Sequence, residues 1–242
     1  MSLMADAIAI SAVERDPSWE RSRGSTWIEL AIAYGLILAV IWSPRPIQRA
    51  LWLLAAMGTV LIFARSWQGW RALGLQTRNF GRSSWIIAAA SVAAGTAVMV
   101  AGWLDTLRLP PGGFPGFIET YIAYAVWAGV QQLILQGLFL LLLLRVIPNE
   151  RYAALTAAGL FALAHVPSLL LVPVTLVWGL VACLHFLRYR SLFPLMIAHA
   201  ILGIAVAMTI PGPVDHNMRV GLSYLTYKPH TYAHRFQSSS QP

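Results

Sequence analysis

Charged residues divide this chain into long uncharged windows. Window 26–42 is apolar apart from Glu29 and ends before Pro44; window 50–64 holds only 15 residues between Arg49 and Arg65. Windows 83–104, 120–144 and 191–214 hold 22, 25 and 24 residues, and window 152–187 holds 36. A membrane-spanning helix needs about 20 apolar residues. The 36-residue window is therefore too long for one span, and Pro167 and Pro173 interrupt it. We read it as a helical hairpin turning near 166–170. The 15-residue window completes a span if its flanking arginines snorkel to the interface. Pro211-Gly212-Pro213 stops the last window. The count is seven spans, or eight if the amphipathic stretch 67–75 dips into the bilayer.

None of these windows alternates with period 2, so helices are expected and a barrel is not. Composition agrees. The 242 residues are 58% hydrophobic and 11% charged, with mean hydropathy +0.65. Ordinary soluble domains are about 25% charged, so too few polar residues exist to cover a water-facing surface. The expected fold class is all-α: a polytopic transmembrane helical bundle in the phospholipid bilayer. The expected organisation is a polar N-terminal tail (1–24), a single transmembrane helical domain (25–214) and a polar C-terminal tail (215–242). Residues 1–24 lack a basic start followed by an apolar run, so no cleavable signal is expected there.

The net charge is +8, from 17 Lys+Arg and 9 Asp+Glu. The arginines flank apolar windows and form no basic run with interleaved aromatics, so head groups, not nucleic acid, are their expected partners. With loop 65–82 taken as cytoplasmic, 11 basic residues fall on that side and 6 on the other. The excess places the N-terminus inside. Cys183 is the single cysteine, which leaves neither a disulfide framework nor a thiolate metal site.

Polar side chains inside spans are costly, so they mark the informative positions. The fourth window carries Gln131, Gln132 and Gln136. At 100° per residue Gln132 and Gln136 share a face, 40° apart, with Gln131 100° to the side. His165 closes the first arm of the hairpin, His185 lies near Arg188 in the second, and His199 lies in the last window. Each has a plainer reading. Gln joins helices by hydrogen bonds, a lone His packs in a core, and His185 reads as structural at the interface. His230 and His234 have a metal-ligand spacing, but Pro229 and the intervening Thr231 and Tyr232 argue against the helix they would need.

In order along the chain, these residues resemble the motifs of the CPBP family, the CAAX-protease and bacteriocin-processing membrane enzymes also called the abortive-infection type. Gln131-Gln132-x-x-x-Gln136-Gly137 is similar to its first motif, Glu-Glu-x-x-x-Arg. Phe161-x-x-x-His165 is similar to Phe-x-x-x-His, and His199-x-x-x-Gly203 to His-x-x-x-Asn or a small residue. The resemblance covers about 127–204, within a CPBP-like core at 118–210. It implies an intramembrane endopeptidase in the plasma (inner) membrane of a bacterium, acting on membrane-embedded or lipidated peptides, with no cofactor. It places Gln131 at the position of the activating acid with Gln132 at that of the second glutamate beside it, His165 as the partner of Gln131 in activating water, and His199 as oxyanion donor. Gln136, Phe161 and Gly203 take supporting places.

The departures from the pattern are coordinated. Both acids and the Arg are Gln, which removes charges of −2 and +1 together, and a neutral amide triad can donate and accept throughout. A glutamine accepts no proton, so Gln131 cannot be a general base; it can still position water. A neutral imidazole of His165 or His199 would have to take the proton. Two alternatives stand beside hydrolysis. One is a catalytically silent relative that binds membrane peptides or lipids in a chaperone or immunity-type role. The other is a small transporter with a Pro-broken helix, though no inverted repeat is visible. A two-histidine zinc site lacks the third ligand of a catalytic centre, so no metal is expected.

Overall fold

A computed structural model describes residues 23–228, and in it helices carry the whole of the regular structure. Five helices are long and apolar enough to cross a membrane. They are α1 (Arg23–Trp42), α2 (Arg45–Arg65), α3 (Phe80–Trp103), α4 (Gly113–Val146) and α6 (Leu171–Tyr189). Two shorter ones complete the bundle, α5 (Glu150–Leu163) and the 17-residue α7 (Phe193–Thr209). Two single-turn helices follow, α8 (Gly212–Asp215) and α9 (Gly221–Leu225).

The expected breaks fall at chemically sensible places. α2 runs over 21 residues, with Arg45 and Arg65 as its terminal residues. This helix extends the short uncharged window at both ends. Pro167 lies in the turn between α5 and α6, and Pro173 is the third residue of α6, where a missing N–H costs no intrahelical bond. The stretch 67–75, a candidate eighth span, forms turns and not a spanning helix. It and the residues just after it are pinned to the end of α6 and the start of α7. Asn79 donates to the Tyr189 carbonyl at 2.8 Å, and Leu192 N–H to the Gly74 carbonyl at 2.9 Å.

Small residues pack α5 against α6. α5 starts on Asn149, whose Oδ1 accepts from Arg151 N–H at 2.9 Å, a capping bond that satisfies an orphan donor. Its Ala153, Ala154, Ala157 and Ala158 are all fully buried. Opposite, α6 presents Gly179, where an added Cβ would sit 3.3 Å from Ala158 and from the Phe161 ring. Small residues let the two backbones approach closely, as membrane helices favour. The outer helices are apolar toward the lipid: Val92 and Met99 of α3 are each 70% exposed. Glu29, the acid inside the first window, is buried and lies 3.8 Å from Arg65 across the α1–α2 hairpin.

Residues 212–228 pack back on the bundle. Gly221 N–H donates to the Val166 carbonyl at 2.9 Å, tying α9 to the α5–α6 turn. The N-terminal stretch 1–22 and the histidines at 230 and 234 lie outside the described residues.

Candidate active site

The three glutamines sit where α4 changes pitch. Ordinary α-helix runs to Gln132, and a wide π-helical stretch follows over Leu133–Leu140. Such widenings recur at functional sites because they turn side chains off the regular register. Gln131 and Gln132, both still in regular helix, leave it about 100° apart and meet different surroundings. Gln131 is half-buried on the wall of a cavity of about 1240 Å³. Gln132 and Gln136 are fully buried and point into the bundle.

Gln132 Nε2 lies 3.1 Å from His199 Nδ1, and Gln136 Nε2 donates to Gln132 Oε1 at 3.4 Å. The Cys183 thiol lies beside the Gln136 amide. This is a neutral relay of two amides ending on an imidazole. In the polarity drawn, Gln132 donates to a bare Nδ1, so the neutral ring carries its proton on Nε2. Gln136 Oε1 then has no partner. Turning both amides over gives the opposite polarity. Gln136 Oε1 then accepts from Gln132, and His199 Nδ1–H donates to Gln132 Oε1. Amides allow both directions; a carboxylate–guanidinium pair allows one.

His165 sits two residues beyond α5, in the turn and not in the helix the sequence suggested. Its Nδ1 lies 2.7 Å from the Phe161 carbonyl. A carbonyl only accepts, so Nδ1 must be the protonated nitrogen. The neutral ring therefore leaves the Nε2 lone pair free, and the ring lines the cavity. Phe161 also orders both imidazoles, its ring standing edge-on 4.9 Å from His165 and 5.9 Å from His199. Trp178 closes the other side of His199 at 5.8 Å.

Gln131, His165, His199, Phe161 and Gly203 thus share one cavity, with Gln132 and Gln136 behind its wall. No Asp or Glu among the described residues lines the cavity. Among the described residues no group of three or more His, Cys, Asp or Glu is placed to hold a metal ion. His185 stands apart. It is buried, donates from Nε2 to the Ser83 carbonyl at 3.0 Å and lies against Trp85 and Tyr189, which fits its structural reading.

One feature of the wall escaped the motif reading. Tyr124 of α4 fills the space beside Gly203. The available signal was its spacing: Tyr124 precedes Gln131 by seven residues, two helical turns.

The wall can hold a carbonyl and a water between a free imidazole nitrogen, an amide and an imidazole N–H, with apolar volume around them. No curated protein and no solved structure matches the chain. One family does, that of the Rce1-like proteins, the type II CAAX prenyl endopeptidases, across residues 114–205. Those residues hold His165, His199, all three glutamines and Gly203, and over them the chain is similar to the Rce1-like type II CAAX prenyl endopeptidases.

Proposed function

We propose that the chain hydrolyses peptide bonds of membrane-embedded or lipidated peptides, working as an intramembrane endopeptidase without its carboxylates, in the plasma membrane of a bacterium. The observation that carries this reading is the 2.7 Å bond from His165 Nδ1 to the Phe161 carbonyl. It leaves Nε2 as the proton acceptor of a ring that lines the cavity.

Water held between His165 Nε2 and the Gln131 amide gives its proton to Nε2 as its oxygen bonds to the carbonyl carbon. The His199 N–H, which otherwise meets the Ala128 carbonyl, receives the substrate carbonyl oxygen as it takes on charge, in the polarity where Gln132 donates to Nδ1. His165 then passes its proton to the amide nitrogen as the C–N bond breaks. Gln132 and Gln136 hold His199 in place and follow its tautomer, and Phe161 orients both rings. Positioned acid–base help contributes about 10²- to 10⁴-fold, and replacing a paired carboxylate by an amide forfeits part of it. A slow enzyme is the expectation. The cavity's apolar walls suit a lipid chain or an apolar segment next to the scissile bond.

The test is cleavage of a farnesylated CAAX-type peptide by purified protein in proteoliposomes. The unmodified protein should cleave and His165→Ala should not. Equal turnover by both sinks the assignment of His165.

The absence of any carboxylate among the described residues of the cavity lining favours a second reading, a catalytically silent relative that binds the same peptides or lipids. It predicts saturable binding with no product from any peptide.

A further inference from the structure

Tyr124 and Gln131 lie seven residues apart in α4, so their side chains leave the helix within about 20° of one another. Both line the cavity that holds His165 and His199. Across the cavity Gly203 follows His199 by four residues, one turn along α7. The Tyr124 phenol is pressed against that glycine. A Cβ added at Gly203 would overlap the Tyr124 hydroxyl and collide with the ring carbons Cζ and Cε1. No side chain fits at position 203 while Tyr124 holds this rotamer. The space a side chain of α7 would occupy is taken by a hydroxyl reaching over from α4.

That hydroxyl is one of three in the cavity, with those of Tyr121 and Thr59, that make no hydrogen bond among the described residues, and it is the one pressed against Gly203. Tyr34, Thr120, Thr175 and Thr209 also line the cavity, and each donates its hydroxyl to a backbone carbonyl, at 3.0, 2.7, 2.6 and 2.7 Å. Among the described residues Tyr124 Oη makes no hydrogen bond. A phenol left unpaired in an apolar cavity forgoes a hydrogen bond that a bound carbonyl can supply. It donates without bringing a charge into the membrane, which matches the neutral chemistry of the whole wall.

We infer that Tyr124 Oη–H is the donor that receives the backbone carbonyl of a peptide in the cavity, and that Gly203 is empty of a side chain in order to admit it. The inference rests on the reading that a peptide occupies this cavity, and it holds whether or not that peptide is cut. Where water adds to the carbonyl, the same bond strengthens as the oxygen becomes negative, and Tyr124 then acts beside His199.

The experiment uses the full-length protein in proteoliposomes and two fluorescent farnesylated peptides. One is the ordinary peptide. In the other the central C(=O)–NH is reduced to CH2–NH, so the carbonyl is missing. Tyr124→Phe should weaken binding of the ordinary peptide about 5- to 30-fold, the worth of one buried hydrogen bond. It should leave binding of the reduced peptide unchanged. Tyr124→Ala with Gly203→Asn puts an amide donor back into the same space and should recover most of the preference for the carbonyl. If Tyr124→Phe weakens both peptides alike, or neither, the phenol merely fills space and the inference is overturned. Failure of the unmodified protein to bind either peptide overturns it too. Cleavage is a separate readout. If the unmodified protein cleaves, Tyr124→Phe should lower kcat about 10- to 100-fold with little change in KM. If it binds without cleaving, the hydrolytic proposal fails while the binding comparison still decides the role of Tyr124.

Discussion

Replacing Gln132 by Leu tests whether the buried amide relay holds the site together. Gln132 is the middle member, with one bond to His199 Nδ1 at 3.1 Å and one from Gln136 Nε2 at 3.4 Å. Gln132→Leu strands both partners. His199 is 7% exposed and Gln136 fully buried, so neither finds water easily. An orphaned buried polar group costs about 1–3 kcal/mol. Hydrogen bonds between membrane helices measure smaller, about 0.6 kcal/mol on average, because a chain unfolded within the membrane also finds partners. The added apolar contacts of Leu offset part of the loss. The net expectation is a destabilisation of about 1–3 kcal/mol. Gln136→Leu is the control. It removes the long bond to Gln132 Oε1 and the contact with the Cys183 thiol but leaves the shorter bond to His199, and its own Oε1 already lacks a partner, so it should cost less than Gln132→Leu. Unfolding by SDS titration in mixed micelles measures both. An equal or larger loss for Gln136→Leu would refute the relay as the organising contact of His199.

Four further outcomes are expected. Gln131→Glu places a proton acceptor on the cavity wall with His165 and should raise cleavage of membrane peptides at neutral pH, measured by product release; the gain should vanish when His165→Ala is added. Gly179→Leu should push α5 and α6 apart at Ala158 and Phe161, costing about 1–3 kcal/mol as overpacking does, and lower peptide cleavage by moving the ring that orders both imidazoles. A topology reporter fused after Pro242 should read as external, since seven spans and the basic excess put the N-terminus inside; a cytoplasmic signal there refutes the count. Burial pushes the Asp215 carboxyl above its usual pKa, against the opposing pull of the Asn217 N–H and Arg108. A raised acid stabilises the folded state below its unfolded pKa and loses that contribution as pH rises through the folded value. Docking of 212–228 should therefore loosen from acid toward neutral pH, seen as faster amide exchange after correction for intrinsic rates, and Asp215→Asn should flatten the dependence.

Hydropathy alone determined the helical membrane fold and most of the helix ends, because in lipid the backbone must bond to itself and only long apolar windows are tolerated. The hairpin at Pro167 was legible for the same local reason. The resemblance of the motifs at 131–137, 161–165 and 199–203 was legible too, since residue types in order survive in the sequence even when all three charges are gone. What each glutamine faces was not. Neighbours in sequence, Gln131 meets the cavity and Gln132 meets His199, and a π-helical stretch begins at the next residue. Helical periodicity put Gln132 and Gln136 on one face with Gln131 about 100° aside, as the structure has them, but it names no neighbour for either face. The tautomer of His165 depends on a carbonyl four residues back, in a turn that the sequence read as helix. The docking of 212–228 rests on bonds such as Gly221 to Val166, between segments far apart in the chain. Tyr124 looked like one aromatic among many in an apolar span. Its meaning arises only where α7 presents Gly203 to it, because van der Waals exclusion between two helices is a property of their packing and not of either sequence alone.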